Sequence, residues 1–292
     1  MNKENKIAII GLSGESIFMK MDHFNEEGET VVANTYHVEY GGKGYNQAVA
    51  AARYGAKVSF LTLCGDDNIA TLVESTLKKE NINAYVLKKE GKKSASACIM
   101  IDKEGRNRVV CYPGVSSEMT KEDVMLFEEE IKTSKFLLLQ LEMSDESLYK
   151  AIELSIKYNT LVVLNPAPAK KIPIDILKDV YLITPNEHEA KILLDLDNIE
   201  DIKKINLNNV IITLGEDGSI LKEGLKVFNI PVINVKPLNT TGAGDTYNGV
   251  LVAALLEGNN LYDAAKIASL AASISVTKEF VIDSIPYKEE IK

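Results

Sequence analysis

The stretch Asn239-Thr240-Thr241-Gly242-Ala243-Gly244-Asp245-Thr246-Tyr247-Asn248-Gly249 sets a glycine-rich turn and a carboxylate at the head of a helical run reaching about Glu257. The first N–H groups of a helix have no intrahelical acceptor, and their dipoles favour an anion at that end. Gly242 and Gly244 let the backbone approach such an anion closely. Asp245 then lies beside a bound phosphate, where a carboxylate can accept the proton of a hydroxyl attacking the terminal phosphoryl group. The plainer alternative is an acidic residue that merely suits the helix dipole.

Upstream of this turn, short apolar runs alternate with amphipathic stretches. Strands are expected at Ile7 to Gly11, Lys57 to Leu63, Lys135 to Leu141, Thr160 to Leu164, Val180 to Thr184 and Val210 to Leu214. Helices are expected at Tyr45 to Tyr54, Asn68 to Glu80, Ser144 to Tyr158 and Glu187 to Asp195. Leu137-Leu138-Leu139 and Leu161-Val162-Val163-Leu164 are continuous rather than alternating, as in strands buried on both faces. The fold class is therefore α/β, a doubly wound, mainly parallel sheet.

Gly28 to Tyr40 and Asn83 to Cys111 break that rhythm. We assign them to a small β-sheet lid, about residues 12–40 and 83–112, on a single domain of residues 1–292. Such a lid would cover the crevice at the strand ends, exclude water and offer a surface for a homodimer. Within it, Ser94 to Ile101 and Asn107 to Cys111 read as a hairpin. A two-residue loop at Glu104-Gly105 would put Cys98 opposite Cys111, as neighbouring thiols rather than a disulfide.

With 33 basic against 42 acidic residues, the formal charge of −9 argues against a nucleic-acid partner, so an anionic ligand must be held locally. The polar start Met1 to Lys6 and the run Ile7-Ala8-Ile9-Ile10 are too short for a signal peptide or membrane span. Three cysteines lack zinc-site spacing, and a cytoplasmic chain is expected.

Gly41-Gly42-Lys43-Gly44-Tyr45-Asn46-Gln47-Ala48 gathers glycine amides, Lys43 and two side-chain amides at a strand-to-helix junction, a set that can bind the hydroxyls of a polyol. Lys43 is not a Walker lysine, since the preceding glycine and following Ser or Thr are missing. Thr184-Pro185-Asn186-Glu187-His188-Glu189-Ala190 puts hard oxygen ligands at a sheet edge. Asn186 and Glu189 there suit Mg²⁺ held through waters, or alternatively serve as helix caps. His188 reads as a solvated residue, and His23 and His37 as lid-loop residues without partners. Ile211-Ile212-Thr213-Leu214-Gly215-Glu216-Asp217-Gly218 runs from a buried strand into a tight turn, either an edge for a nucleotide or an ordinary β-turn.

In this order, the segments resemble the PfkB carbohydrate kinase family, and within it the ribokinases most closely. The resemblance covers nearly the whole chain, including Gly28-Glu29-Thr30, Leu139-Gln140-Leu141-Glu142 and Leu164-Asn165-Pro166-Ala167-Pro168-Ala169. It implies ATP and Mg²⁺ as cofactors, with Asp245 as base and Gly242, Ala243 and Gly244 as the anion hole. Asn186, Thr213, Gly215 and Gly218 fall on the nucleotide side, and Glu189 with Asn186 near the metal. Gly41, Gly42, Lys43, Asn46 and Glu142 correspond to sugar-side residues. The reaction implied is transfer of the γ-phosphate to a primary hydroxyl of a sugar or related polyol.

Three departures matter. Where ribokinases carry a sugar-binding Asn and Asp, Gly14 and Ser16 stand here, with Glu15 a partial substitute; restoring both residues is expected to improve ribose use. Tyr45 replaces a commonly small residue and would either stack on a larger substrate or pack in the core. Asn239 replaces an Asp of the family's monovalent-cation site, and Thr277 to Ser284 lacks its glycine, which leaves potassium activation open. The rival readings are a nucleoside kinase on the same scaffold and a non-catalytic sugar or nucleotide sensor.

Overall fold

A computed structural model describes residues 3–196 and 198–291. The strands are β1 (Glu4–Ile10), β2 (Gly14–Lys20), β3 (Thr35–Gly41), β4 (Lys57–Gly65), β5 (Asn83–Lys89), β6 (Ala95–Ile101), β7 (Asn107–Tyr112), β8 (Ser134–Leu139), β9 (Leu161–Leu164), β10 (Leu182–Ile183), β11 (Asn209–Thr213), β12 (Ser219–Glu223) and β13 (Lys226–Ile230). The helices are α1 (Lys43–Arg53), α2 (Asn68–Lys79), α3 (Lys121–Met125), α4 (Glu128–Thr133), α5 (Asp145–Tyr158), α6 (Ile174–Lys178), α7 (Glu187–Leu194), α8 (Ala243–Leu256) and α9 (Leu261–Ser275).

Nine strands form one sheet in the order β13-β12-β11-β10-β9-β8-β1-β4-β5. It is parallel except for the edge hairpin of β12 and β13. The chain runs outward from β1 through β4 and β5 on one side and through β8 onward on the other. The β1–β8 seam is therefore the topological switch point, where strand ends leave a crevice. Ile7 and Ile9 pack into the layer containing α1, α2, α8 and α9, whereas Ala8 and Ile10 pack into the layer containing α3 to α7. A strand covered on both faces has no polar side, which is why β1 and β8 read as continuous apolar runs. Among the described residues no helix is long and apolar enough to cross a membrane.

The small sheet has the order β3-β2-β6-β7. Three expectations about it are corrected. Asn83–Lys89 pairs in parallel with β4 as the edge of the large sheet, so the lid draws only on the later part of the second segment. An edge strand is half-covered, and the mixed pattern Asn-Ala-Tyr-Val-Leu-Lys-Lys looked like a lid strand for that reason. The hairpin turn is also longer than two residues. Asp102 N donates to Arg106 O, Gly105 takes a left-handed φ of 80°, and Ile101 faces Asn107. Cys98 therefore pairs with Val110 and Cys111 with Ala97, which puts the two thiols on opposite faces. All three cysteines are free. His37 lies on β3 and stacks on Phe280 with ring centroids 3.7 Å apart, and His23 bonds Glu29 at 2.9 Å, so neither is a loop residue without a partner.

Candidate active site

Helix α1 starts where β1 ends, and a methyl group on Gly44 would lie 2.7 Å from the Gly11 Cα, so backbone meets backbone at this junction. Helix α8 crosses α1 equally closely. A Cβ on Gly249 would come within 2.4 Å of the Gln47 carbonyl oxygen. These two close approaches bring the Gly41-to-Gln47 segment against the first turn of α8.

Asp245 sits on that turn, 7% exposed, and both of its oxygens are engaged. Asn46 Nδ2 donates to Oδ2 at 2.9 Å and Gln47 Nε2 to Oδ1 at 3.0 Å. Gln47 is itself fixed: it accepts from Gln140 Nε2 at 2.6 Å and shares its Nε2 with Asn165 Oδ1 at 3.1 Å. Asn165 Nδ2 in turn donates to Thr184 O at 3.1 Å. This buried amide relay joins the ends of β8, β9 and β10 to Asp245. An ionised carboxylate offers about four lone-pair positions, so two remain open for a substrate hydroxyl.

Gly242 is the N-cap of α8 with a left-handed φ of 79°. Ala243 N bonds back to Thr240 O at 3.3 Å, and Thr246 N makes the first helical bond to Gly242 O. The Gly244 and Asp245 amides lie between these and lack an intrahelical acceptor. The Gly242 amide likewise has no acceptor among the described residues, so of the expected Gly242, Ala243 and Gly244 amides only Ala243 N is engaged, and the Asp245 amide joins the free ones.

A cleft of about 420 Å³ ends at this turn, lined by Thr213, Gly215, Gly218, Ala243 and Gly244. The expected nucleotide residues Thr213, Gly215 and Gly218 therefore do meet the anion turn. Missing from the sequence reading were the cleft's other walls, the 232–237 segment and the small residues Ser269, Ala272 and Ser273 of α9. Their signal is a helix face without bulky side chains, which by itself marks close packing as readily as a ligand.

Opposite the cleft lie the expected acceptor residues. A Cβ on Gly41 would stand 3.3 Å from Asn46 Oδ1 and 3.7 Å from Ser16 Oγ, so the missing side chain leaves those two groups facing one space. Asn46 Oδ1 is buried without a partner, an acceptor waiting for a hydroxyl. Glu142 Oε2 accepts from Lys43 N at 3.1 Å. Burial pushes the Glu142 carboxyl up from its ordinary 4.5 to about 7, with Lys43 opposing and Asp245 reinforcing the shift. The Lys43 ammonium is held above its usual pKa, first by Asp245 and then by Glu142 and Glu189, so it serves both sides of the site.

Two departures resolve. Gly14 pairs with Ala95 of β6, and a Cβ there would lie 2.4 Å from the Ala95 carbonyl oxygen. An Asn at this position needs β6 to move, so simple restoration of the Asn is no longer expected to help ribose. Glu15 alternates with Ser16 and points to the outer face of the sheet, where it cannot substitute. Tyr45 is 2% exposed and its hydroxyl donates to Thr76 Oγ1 at 2.8 Å, so it packs in the core and stacks on no substrate.

Asn186 and Glu189 form a capping box on α7. Asn186 Oδ1 accepts from Glu189 N, and Glu189 Oε2 from Asn186 N, both at 2.8 Å. Glu189 is 8% exposed with Oε1 uncommitted, and burial raises its pKa. Both alternatives read from the sequence are thus compatible: one oxygen caps the helix and the other is left free. Asn186 itself is exposed, as is His188. Among the described residues no group of three or more His, Cys, Asp or Glu could hold a metal ion alone.

A carboxylate with open lone pairs, set between an anion-binding turn and a junction of hydroxyl partners, suits phosphoryl transfer to an alcohol. The sequence profile of the pfkB family of carbohydrate kinases matches residues 5–288. The chain is 33% identical to the ribokinase of Staphylococcus aureus over 98% of both chains. It is 32% identical to the deoxyribokinase of Salmonella typhi, over 97% of this chain and 96% of that one. The Arabidopsis thaliana ribokinase complexed with ribose and ATP superposes with a TM-score of 0.88 at 25% identity, covering 100% of this chain and 98% of that one. The chain belongs to the pfkB family of carbohydrate kinases, with the ribokinase fold, and its activity is ATP-dependent phosphorylation of a sugar.

Proposed function

We propose that the acceptor is a pentose or closely related small polyol, phosphorylated on its primary hydroxyl with Asp245 as general base. The carrying observation is the double amide grip on Asp245 from α1, which aims the carboxylate between the acceptor space and the Gly244 and Asp245 amides. In this reading Ser16, Asn46 and Glu142 hold acceptor hydroxyls, and Gly41 and Gly42 leave room for them. Lys43 balances the charge of the carboxylates and of the transferred phosphoryl group. The helix start of α8 receives that group's negative charge.

Glu189 fits Mg²⁺ as a buried carboxylate with no salt-bridge partner among the described residues and one uncommitted oxygen, Asn186 supporting it from the cap. Bound with ATP, the ion would neutralise phosphate charge while keeping several waters. The buried position of Tyr45 removes the stacking surface for a base-bearing acceptor, which leaves the nucleoside kinase reading only the small Gly14 and Ser16 in its favour. A cytoplasmic location accords with the substrate class and with the three free cysteines.

The test is ADP release from Mg-ATP across ribose, deoxyribose, hexoses, polyols and nucleosides. Turnover with a pentose that disappears in Asp245→Asn supports the reading. Preference for a nucleoside overturns the acceptor class, and binding without turnover favours the sensor.

The Glu142 shift carries a pH prediction. If ionised Glu142 binds an acceptor hydroxyl, kcat/KM for the acceptor rises about tenfold between pH 6 and pH 8, and Glu142→Gln abolishes that rise. The same shift acts oppositely on stability. A carboxyl whose folded pKa lies near 7 and whose ordinary value is 4.5 destabilises the fold progressively as pH rises between those values. Glu142→Gln should therefore raise Tm more at pH 8 than at pH 5.

We propose that no monovalent cation is required. Asn239 Nδ2 donates to the Glu279 carbonyl at 2.6 Å and Asn239 Oδ1 accepts from Thr241 N at 3.0 Å, so both ends of this amide are engaged within the protein and it brings no negative charge. Rates in potassium chloride and in tetramethylammonium chloride at equal ionic strength should agree within about twofold. Fivefold activation by potassium would count against this.

We also propose a homodimer through the outer face of the small sheet. Ile17, Met19, Tyr36, Val38, Cys98 and Val110 share that face by register, and Tyr36 and Val110 are each 65% exposed. Light scattering should report a dimer that Val110→Asp converts to monomer; a monomeric wild type would refute it.

A further inference from the structure

Glu39 of β3 lies opposite Ser16 on the inner face of the small sheet, yet its carboxylate leaves that sheet. Oε2 accepts from Val281 N at 3.0 Å and Oε1 from Ile282 N at 3.1 Å, so both oxygens grip consecutive amides of the segment after α9. The neighbouring residues reinforce the attachment. His37 stacks on Phe280, Phe18 meets the same ring edge-on at 6.0 Å, and Lys20 pairs with Glu279. Every residue from Glu279 to Ile282 is thereby tied to the small sheet.

The far side of this segment touches the anion turn. Val281 packs beneath Phe18 and Ile99, and its Cγ1 lies 2.5 Å from the position a Cβ on Gly242 would occupy. Gly242 is the left-handed residue that starts α8, and the free amides follow it. Asn239, at the entry of the same turn, bonds the Glu279 carbonyl. A continuous path therefore runs from Glu39 through Val281 to the donors of the anion hole.

Glu39 is 7% exposed, and among the described residues no Lys or Arg lies within ion-pair distance of it; His37 Nε2 stands 3.8 Å away. Burial raises its pKa against the pull of the two amides. A buried carboxylate so placed contributes less to stability than an apolar side chain of similar size would, so the geometry needs another reason.

We propose that Glu39 is a positioning residue for phosphoryl transfer, which fastens the 279–282 segment to the small sheet and through Val281 fixes the anion-binding turn at Gly242. Closure of the small sheet over the acceptor and organisation of the phosphate donors are then one event. The proposal rests on the reading of the α8 turn as the phosphate site.

The test is steady-state kinetics with Mg-ATP and whichever of ribose or deoxyribose turns over faster, on Glu39→Gln, Glu39→Ala, Val281→Ala and the double Ala variant. A displaced donor costs rate more than binding. Glu39→Ala should lower kcat roughly 10- to 100-fold with both KM values within about threefold. Glu39→Gln keeps one acceptor oxygen and should recover much of that loss. The double variant should lose little more than the larger single loss, since both act through one contact. Unchanged kcat in Glu39→Ala, losses that multiply independently, or a fall in Tm with kcat intact would each overturn the proposal. If Glu39→Ala fails to fold, the isosteric Glu39→Gln and Val281→Ala decide by the same kcat-against-KM split. Inactivity of the wild type would instead refute the kinase reading, and a fully active Asp245→Asn the assignment of the turn.

Discussion

Asp245→Asn should lower kcat by about 10²- to 10⁴-fold, the range a positioned general base supplies, while leaving ADP affinity nearly unchanged. The buried relay makes this a chemical rather than a structural loss. Gln47 cannot rotate its amide, because its oxygen accepts from Gln140 and its nitrogen also serves Asn165. The new side chain must therefore keep its oxygen toward Gln47 and turn its nitrogen toward Asn46. Asn46 can answer by flipping, since its own oxygen has no partner and would then accept from the new amide. The new amide and Gln47 each keep a partner, and only the Asn46 amide nitrogen loses its acceptor as it turns toward the space beside Gly41 and Ser16, so Tm should fall by a few degrees at most. What disappears is the basic lone pair. Initial rates, ADP calorimetry and thermal melts check the three parts separately, and a variant as active as wild type would remove Asp245 from the base role.

That the site could be read from the sequence at all follows from where its parts lie in the chain. Gly242 to Asp245 and Gly41 to Gln47 are each contiguous, and a turn, a helix start and a polar side chain within a few residues leave a local pattern. The buried strands were equally visible, because a strand covered on both faces has no polar alternation to confuse it. What escaped depends on partners remote in sequence. Nothing local tells β5 that it pairs with β4 rather than with the small sheet, and nothing in the 102–106 turn announces the extra residue that moves Cys98 away from Cys111. Tyr45 sits in a site motif, but its direction is set by Thr76 on α2. Glu39 gave no signal, since its bonds reach across 242 residues. Gln47 stood within the motif, yet its relay through Gln140 and Asn165 appears only once three strand ends converge.

Gly249→Ala should cost activity out of proportion to stability. Gly249 lies one helical turn beyond Asp245, on the same face of α8. The added methyl group would meet the Gln47 carbonyl oxygen at 2.4 Å, the Ala50 Cβ at 2.6 Å and the Ala51 amide nitrogen at 3.0 Å. Two of these three are backbone atoms, which cannot rotate away, so α8 must move off α1. Overpacking of this kind costs about 1–3 kcal/mol, and the better helix propensity of alanine returns roughly 1 kcal/mol of that. The net loss of stability is modest for alanine and severe for leucine, which should prevent folding. The movement opens at Gln47 itself, the residue that orients Asp245, so even the alanine variant should lose about 100-fold in kcat. The obstacle being backbone, Ala50→Gly should not rescue it: removing that methyl leaves the 2.4 Å approach to the Gln47 carbonyl in place. Full rescue by Ala50→Gly, or an alanine variant with wild-type kcat, would mean that the two helices can slide without disturbing the grip on Asp245.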